Sequence, residues 1–129
     1  MIHRSMKTDN DGLPLVERSA EGLGVRLDDV TRDIPVVRGI VTPVGRHGMS
    51  VYGDPRQMHP QRRPTFLPGG KSLLPLFALD ERDLLDGLAL TEPNEKTHMM
   101  VEPSRQMPIE EYEALLGATR ERWTRILGL

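Results

Sequence analysis

The sequence predicts a single domain of the mixed α/β (α+β) class, and three observations support this prediction. The chain has 129 residues, a length typical of one domain. Its apolar residues mostly fall in short alternating runs, which are separated by segments rich in its 11 prolines and 12 glycines. Near the end of the chain the apolar residues instead recur at the spacing of an amphipathic helix.

Composition excludes several classes of function. The chain has no cysteine, which excludes disulfides, thiolate nucleophiles and cysteine-ligated zinc. Its net charge of -2 and its few aromatic residues argue against a general nucleic-acid or anionic-membrane binder. No apolar run is long enough to span a bilayer, and the first residues lack the apolar core of a secretory signal. We therefore expect a protein made in the cytoplasm, which leaves its cell only through a dedicated secretion system.

The first part of the chain is predicted to contain one short strand and little regular structure after it. Residues 1–8 alternate as in a strand. Asp9–Gly12 has the composition of a turn. Residues 13–30 hold at most a short helix, because Gly22 and Gly24 interrupt the helical spacing of the apolar residues.

The middle of the chain is predicted to form short strands and loops. Val36–Val41 is expected to be a strand bounded by prolines. Gly45–Gly48 forms a flexible loop that leads into the strand Met49–Tyr52. Residues 55–71 contain too many prolines and glycines for regular structure, which indicates a functional or mobile segment.

The last part is predicted to contain two strands and a long helix. Leu74–Leu79 is predicted to be a strand, and its proline indicates either an edge strand or the first position of a strand. It is followed by a short irregular piece at residues 84–88 and by the strand Thr97–Glu102. Pro108–Leu127 is predicted to be helical, with Pro108 at the first position and Gly128 at the C-cap.

Candidate site residues are polar side chains on the predicted strands. The chain lacks a phosphate-binding glycine loop, a dinucleotide fingerprint and a serine elbow. Its four histidines lack the spacing of a metal site, so we expect no metal. Arg4, Ser50 and Glu102 remain, although each taken alone is more often a surface residue than a ligand.

Two segments carry a resemblance to a known family. Gly45–Val51 reads GRHGMSV, and His98–Met107 reads HMMVEPSRQM and is followed by the predicted helix. They resemble the type VI secretion exotoxin family with an ADP-ribosyltransferase-like fold, in which a Gly-Gly-Thr-Ser-Val-type strand and a His…Met-Pro…Met junction occur in the same order. The resemblance covers about residues 33–127 and a short N-terminal strand with an arginine. Met49 departs from the family pattern, which has a threonine there.

The resemblance implies a fold, a substrate and three residue roles. Two small packed β-sheets would form a cleft that holds NAD as the substrate, beside a long C-terminal helix. Arg4 would bind the pyrophosphate, since a guanidinium can bind phosphate oxygens bidentately. Ser50 would support the nicotinamide ribose. Glu102 would hold a ribose hydroxyl and stabilise the positive transition state as nicotinamide leaves.

A second assignment within the same fold stays open. Other transferases of this class use His, Tyr and Glu, and here His3 and Tyr52 lie close in sequence to Arg4 and Ser50. Alternation places Ser50 and Tyr52 on one face, whereas His3 and Arg4 point in opposite directions, so only one of the latter pair can face the cleft. We favour Arg4.

Two other features have both a functional and a structural interpretation. His98 shares a strand face with Glu102 and can contact the ligand, although a structural role is the more common one for such a residue. The segment Arg56–Arg63, with His59, is either a recognition or ligand-covering loop or an ordinary proline-rich connection.

The resemblance implies an NAD-dependent ADP-ribosyltransferase or NAD glycohydrolase toxin that acts in a target-cell cytoplasm, in interbacterial competition. A cognate immunity or antitoxin protein would neutralise it, and its acceptor would be a protein or a nucleic acid. Two alternatives are a catalytically inactive, transferase-like interaction module and a metal-independent nuclease toxin.

Overall fold

The computed structural model describes residues 1–91 and 97–128. These residues form a six-stranded antiparallel sheet, a two-stranded antiparallel sheet and one α-helix. The elements in chain order are β1 (Ile2–Ser5), β2 (Ile40–Val41), β3 (Met49–Tyr52), β4 (Leu76–Leu79), β5 (Leu88–Thr91), β6 (His98–Pro103), β7 (Met107–Pro108), α1 (Ile109–Ala118) and β8 (Thr124–Ile126). The predicted mixed α/β class is therefore confirmed.

The large sheet has the strand order β5-β6-β3-β1-β4-β8, and the small one pairs β2 with β7. The first strand of the chain thus lies in the interior of the large sheet. Every residue of β1 is buried, and β1 pairs with β4 from Ile2 opposite Leu79 to Ser5 opposite Leu76. Its pairing with β3 is limited to His3 opposite Tyr52.

The helix α1 stabilises the β3–β6 pair through Tyr112. The fully buried Tyr112 hydroxyl donates a hydrogen bond of 2.5 Å to the Val101 carbonyl and accepts one of 3.3 Å from the Met49 N–H. A buried hydroxyl that satisfies one backbone group on each strand fixes both strands relative to the helix. Gly48 is required beside it, because a Cβ there would lie 2.4 Å from the Val101 carbonyl oxygen and because its φ is +137°.

The C-terminal helix is shorter than predicted. It ends at Ala118, whereas the periodicity predicted a helix to Leu127. A 3-10 turn follows, and then β8 pairs with the edge of β4. Trp123 is buried in the structure, as it would be in the predicted helix, so its spacing along the chain does not distinguish a helix from a strand. Pairing of the residues after it with β4 outweighs the helical preference of this segment.

Two further predictions for the strands were wrong. Val36–Val41 forms only β2, because Arg38 and Gly39 adopt left-handed φ values of 52° and 76° and turn the chain. For β4, of the two positions that its proline allowed, the structure has the start of a strand: Pro75 directly precedes β4, which lies in the interior of the sheet. The irregular piece predicted at 84–88 leads into the strand β5, which the sequence pattern did not indicate.

The strands predicted near positions 2–5, 49–52 and 98–102 were correct, as was the turn at Asp9–Gly12. Residues 13–30 contain no helix. Gly22 and Gly24 are instead packed against backbone, and a Cβ at Gly24 would lie 2.1 Å from the Glu17 carbonyl oxygen. Within the described ranges, no helix combines the length and apolar character needed to cross a bilayer.

Candidate functional site

A cavity of about 260 Å³ lies beside the strands β1, β3 and β6, which carry Arg4, Ser50 and His98 on its wall. Two loop segments, within residues 20–33 and 58–62, complete the wall. We call this space the central cavity. Four of the six residues predicted for the site line it, namely Arg4, Ser50, Tyr52 and His98.

The register of β3 and β6 brings together three of the polar side chains of these strands, those of Ser50, Tyr52 and His98. Ser50 lies opposite Met100, and Tyr52 lies opposite His98. Nε2 of His98 is 3.2 Å from the Ser50 hydroxyl oxygen, which is also 3.6 Å from the Met100 sulfur. The Tyr52 and His98 rings stack with centroids 4.8 Å apart and planes inclined by 9°.

Burial tunes the ionisation of the stacked pair. It lowers the pKa of His98 below the ordinary value of 6.5, so the imidazole is neutral at pH 7. It raises the pKa of Tyr52, although the positive charges of Arg62 and Arg4 oppose this shift. A neutral imidazole beside a hydroxyl can accept the hydroxyl's proton, so the Ser50–His98 pair has the geometry of a hydroxyl and its base.

Arg4 reaches the central cavity, but its guanidinium mainly binds backbone. Its Nε donates to the Gly22 carbonyl (3.0 Å) and its Nη1 to the Ser50 carbonyl (2.7 Å), and Nη2 contacts the carbonyls of Ser19 (3.3 Å) and Gly24 (3.5 Å). Burial is the main cause that lowers its pKa to about 10. Four of its five N–H groups are thus engaged, which gives Arg4 a structural role that the sequence did not indicate.

Glu102 does not line the central cavity. Its side chain is buried, with Oε1 accepting a 3.0 Å hydrogen bond from the Gly45 N–H and Oε2 bonded to the Thr91 hydroxyl. These bonds connect β6 to β5 and to the loop before β3. The expected convergence of Arg4, Ser50 and Glu102 on one cleft therefore holds for the first two residues only.

His3 is also absent from the wall of the cavity. Its Nδ1 lies 3.1 Å from the Tyr52 carbonyl oxygen, and burial lowers its pKa below 6.5. The alternation of strand side chains left a choice between His3 and Arg4, and Arg4 is the residue that reaches the cavity.

Several cavity residues were not selected from the sequence. Arg26 and Asp33 form an ion pair, with a distance of 2.8 Å from Nη2 to Oδ1, and the same carboxylate accepts the Arg26 backbone N–H. Their segment has no regular pattern, so no sequence signal pointed to them. Arg62 and His59 belong to the segment Arg56–Arg63, for which the sequence left open a ligand-covering loop or an ordinary connection, and both residues line the cavity.

In the part of the chain that the structure describes, no three His, Asp or Glu side chains are grouped as a metal site would require. The described residues that line the central cavity carry hydroxyl groups, imidazoles, a phenol, a carboxylate and three guanidinium groups. No protein-family model, no curated protein and no solved structure matches this chain.

Proposed function

We propose that this chain is an NAD-dependent ADP-ribosyltransferase-type toxin that acts in the cytoplasm of a target cell, with a cognate immunity or antitoxin protein as its partner. The observation that carries the proposal is the meeting of Arg4, Ser50, Tyr52 and His98 on one cavity. The same residues were expected at an NAD site from the resemblance of the strand and junction motifs to the type VI secretion exotoxin family.

The proposed reaction breaks the bond between the ribose C1′ and the nicotinamide nitrogen, and nicotinamide leaves with the electron pair. The nucleophile of an acceptor, or water, then bonds to C1′ and loses a proton. The Ser50 hydroxyl would hold a ribose hydroxyl, and neutral His98 would accept the proton. Precise placement of this kind, together with base catalysis, typically contributes about 10²–10⁴-fold to a rate.

The role of Glu102 in this reaction is a separate part of the proposal. Glu102 follows Met100 by two residues on β6, about 7 Å further along the strand on the face that carries His98. Since Glu102 does not line the central cavity, it would support the positive ribose through its charge rather than through direct contact. Both of its oxygens already accept hydrogen bonds, from the Gly45 N–H and the Thr91 hydroxyl, which hold the carboxylate in place.

The size of the central cavity limits how much of NAD it can enclose. Ligand pockets commonly measure about 300–1,000 Å³, and this one measures about 260 Å³. We expect it to enclose the nicotinamide ribose and the diphosphate, with the adenosine outside.

Nicotinamide release from NAD tests the proposal directly. The purified protein should release nicotinamide, and Ser50→Ala should slow the release by about 100-fold or more. Ser104→Ala is the matched control, because Ser104 is exposed and lies outside the cavity. Absence of release by the unmodified protein, with and without candidate acceptor proteins, would contradict the proposal. RNA or DNA cleavage in the absence of NAD would instead support a nuclease.

Expression in a bacterial host tests the toxin role. We expect growth arrest by the unmodified chain, relief by Ser50→Ala, and full arrest by Ser104→Ala. An inactive interaction module would affect growth equally with and without the Ser50 hydroxyl, and it would leave cellular NAD unchanged.

A further inference from the structure

The wall of the central cavity carries more positive than negative charge. Three arginines line it, and Asp33 is the one carboxylate among its described residues. Asp33 is paired with Arg26. Arg4 and Arg62 form no ion pair with any described residue, although the chain as a whole is slightly acidic.

The two remaining guanidinium groups are close enough to affect each other. Besides burial, which is the main cause that lowers the pKa of Arg4, the charge of Asp33 raises this pKa and that of Arg62 lowers it. Arg62 and Arg4 both act on the Tyr52 hydroxyl. Because Asp33 is already paired with Arg26, a bound anion would further reduce the repulsion between Arg4 and Arg62. Their arrangement is therefore electrostatically suited to an anionic ligand.

Arg62 is held in place without using all its donors. Its Nη1 donates to the Ala20 carbonyl (2.7 Å), and its own carbonyl accepts a 2.7 Å hydrogen bond from the Ser5 hydroxyl. The next residue, Arg63, fixes the turn by donating to the carbonyls of Met58 and Pro68. The backbone at Arg62 is thus anchored, and its remaining N–H groups have no partner among the described residues.

His59 lies at the start of the same turn and also lines the cavity. Its Nδ1 accepts a 3.2 Å hydrogen bond from the Gln61 N–H. The proton of the neutral ring therefore resides on Nε2, which is available as a donor.

We propose that Arg62 and His59 form the subsite for the diphosphate of the ligand, and that Arg4 supports this subsite structurally instead of binding the phosphates itself. The ligand class is a nucleoside diphosphate or a compound that contains one. The identification of that compound as NAD rests on the proposed function, whereas the diphosphate subsite itself does not. A guanidinium that binds two phosphate oxygens, with an imidazole N–H beside it, matches the charge and geometry of a diphosphate.

Calorimetric binding of ADP and of inorganic pyrophosphate tests the subsite without any catalytic step. We expect both to bind the unmodified protein, and Arg62→Gln to weaken each by at least tenfold, which corresponds to about 1.4 kcal/mol. Arg62→Lys, which keeps the charge, should weaken binding less. Arg56→Gln is the matched control, because Arg56 lies in the same segment, is exposed and pairs with Asp54. Circular dichroism should show the same fold for all four proteins.

The outcomes separate this inference from the proposed function. Arg62-dependent binding of ADP, without nicotinamide release, would support the subsite and contradict the transferase. Failure of ADP and pyrophosphate to bind, or unchanged affinity in Arg62→Gln, would overturn the subsite. Tighter binding of a single-stranded oligonucleotide than of ADP, with the same dependence on Arg62, would also overturn it.

Discussion

The hydroxyl oxygen of Ser50 lies 3.2 Å from Nε2 of His98, across the paired strands β3 and β6. The stack of Tyr52 on His98 restricts the orientation of the imidazole, and burial keeps the imidazole neutral at pH 7. A hydroxyl and a base are thus held together on a rigid sheet. This contact distinguishes Ser50 and His98 from two unconnected surface residues. The hydroxyl and the imidazole can each be removed by a separate substitution.

His98→Phe should abolish most of the NAD cleavage while leaving the fold intact. Phenylalanine can keep the stack on Tyr52 but has no nitrogen to bond the Ser50 hydroxyl. We expect a loss of roughly 100-fold in the rate of nicotinamide release. Tyr52→Phe is the control, because it keeps the stacked ring and removes only the hydroxyl. Equal rates in His98→Phe and the unmodified protein would show that His98 acts only in packing.

Stability should fall as the pH falls below 6.5. Burial lowers the pKa of both His3 and His98 from 6.5. In the pH range just below 6.5, the unfolded chain binds protons on these two histidines that the folded chain does not bind. Protonation therefore favours unfolding, and the full stability contribution of the two neutral histidines is present only above this range. Urea midpoints at about pH 7.5 and about pH 5.5 measure the effect.

The double variant His3→Gln/His98→Gln should lose part of this pH dependence, whereas His47→Gln, at an exposed position, should keep it. Asp80, whose pKa Arg82 lowers to about 2, affects stability only below about pH 4, outside this window. An unchanged slope in the double variant would contradict the assignment to these two histidines.

Arg4→Met should destabilise the fold more than any substitution of a surface arginine. It removes the donors for carbonyls of the 19–24 segment and of Ser50, which are left in a buried setting. At about 1–3 kcal/mol for each buried group left unpaired, we expect a loss of roughly 3 kcal/mol or more in the free energy of unfolding. Arg82→Met should leave it nearly unchanged, because Arg82 is exposed. Similar denaturation midpoints for the two variants would disprove the structural role of Arg4.

Glu102→Gln separates a catalytic charge from a structural hydrogen-bonding group. The glutamine carbonyl can accept from the Gly45 N–H, and its amide can donate to the Thr91 hydroxyl, so both connections are preserved. We expect a nearly unchanged melting temperature and a strongly reduced rate of nicotinamide release. Full activity in this variant would assign Glu102 to structure alone and would remove it from the proposed mechanism.

The strands of the site were predictable from the sequence because their alternation is local. Met49–Tyr52 and His98–Val101 each show alternating burial, and the sheet places Tyr52 opposite His98. Their register is set by contacts such as those of Tyr112, which no short window of sequence contains. The predicted end of the C-terminal helix was wrong for the same reason. Trp123 fits an amphipathic helix, but pairing of the next residues with β4 decides its structure.

The candidate site was predicted in part. Ser50 and Tyr52 were correctly placed on one face because strand alternation requires it. Arg4 was placed on the correct strand, but three of its four carbonyl partners lie in an irregular segment whose path depends on close backbone packing at Gly24. Arg62 reaches the central cavity through a loop, and loop geometry has no periodic signal in the sequence.

The interior position of β1 has a consequence for biosynthesis. Its partners β3 and β4 begin 47 and 74 residues after its own first residue, as the strand bounds Ile2, Met49 and Leu76 show. The ribosome must therefore synthesise the chain through Leu79 before β1 can be enclosed between its two partners, and such distant pairings also slow folding. The central cavity needs β6 as well, which carries His98, so its wall cannot be assembled while only β1 and β3 have been made.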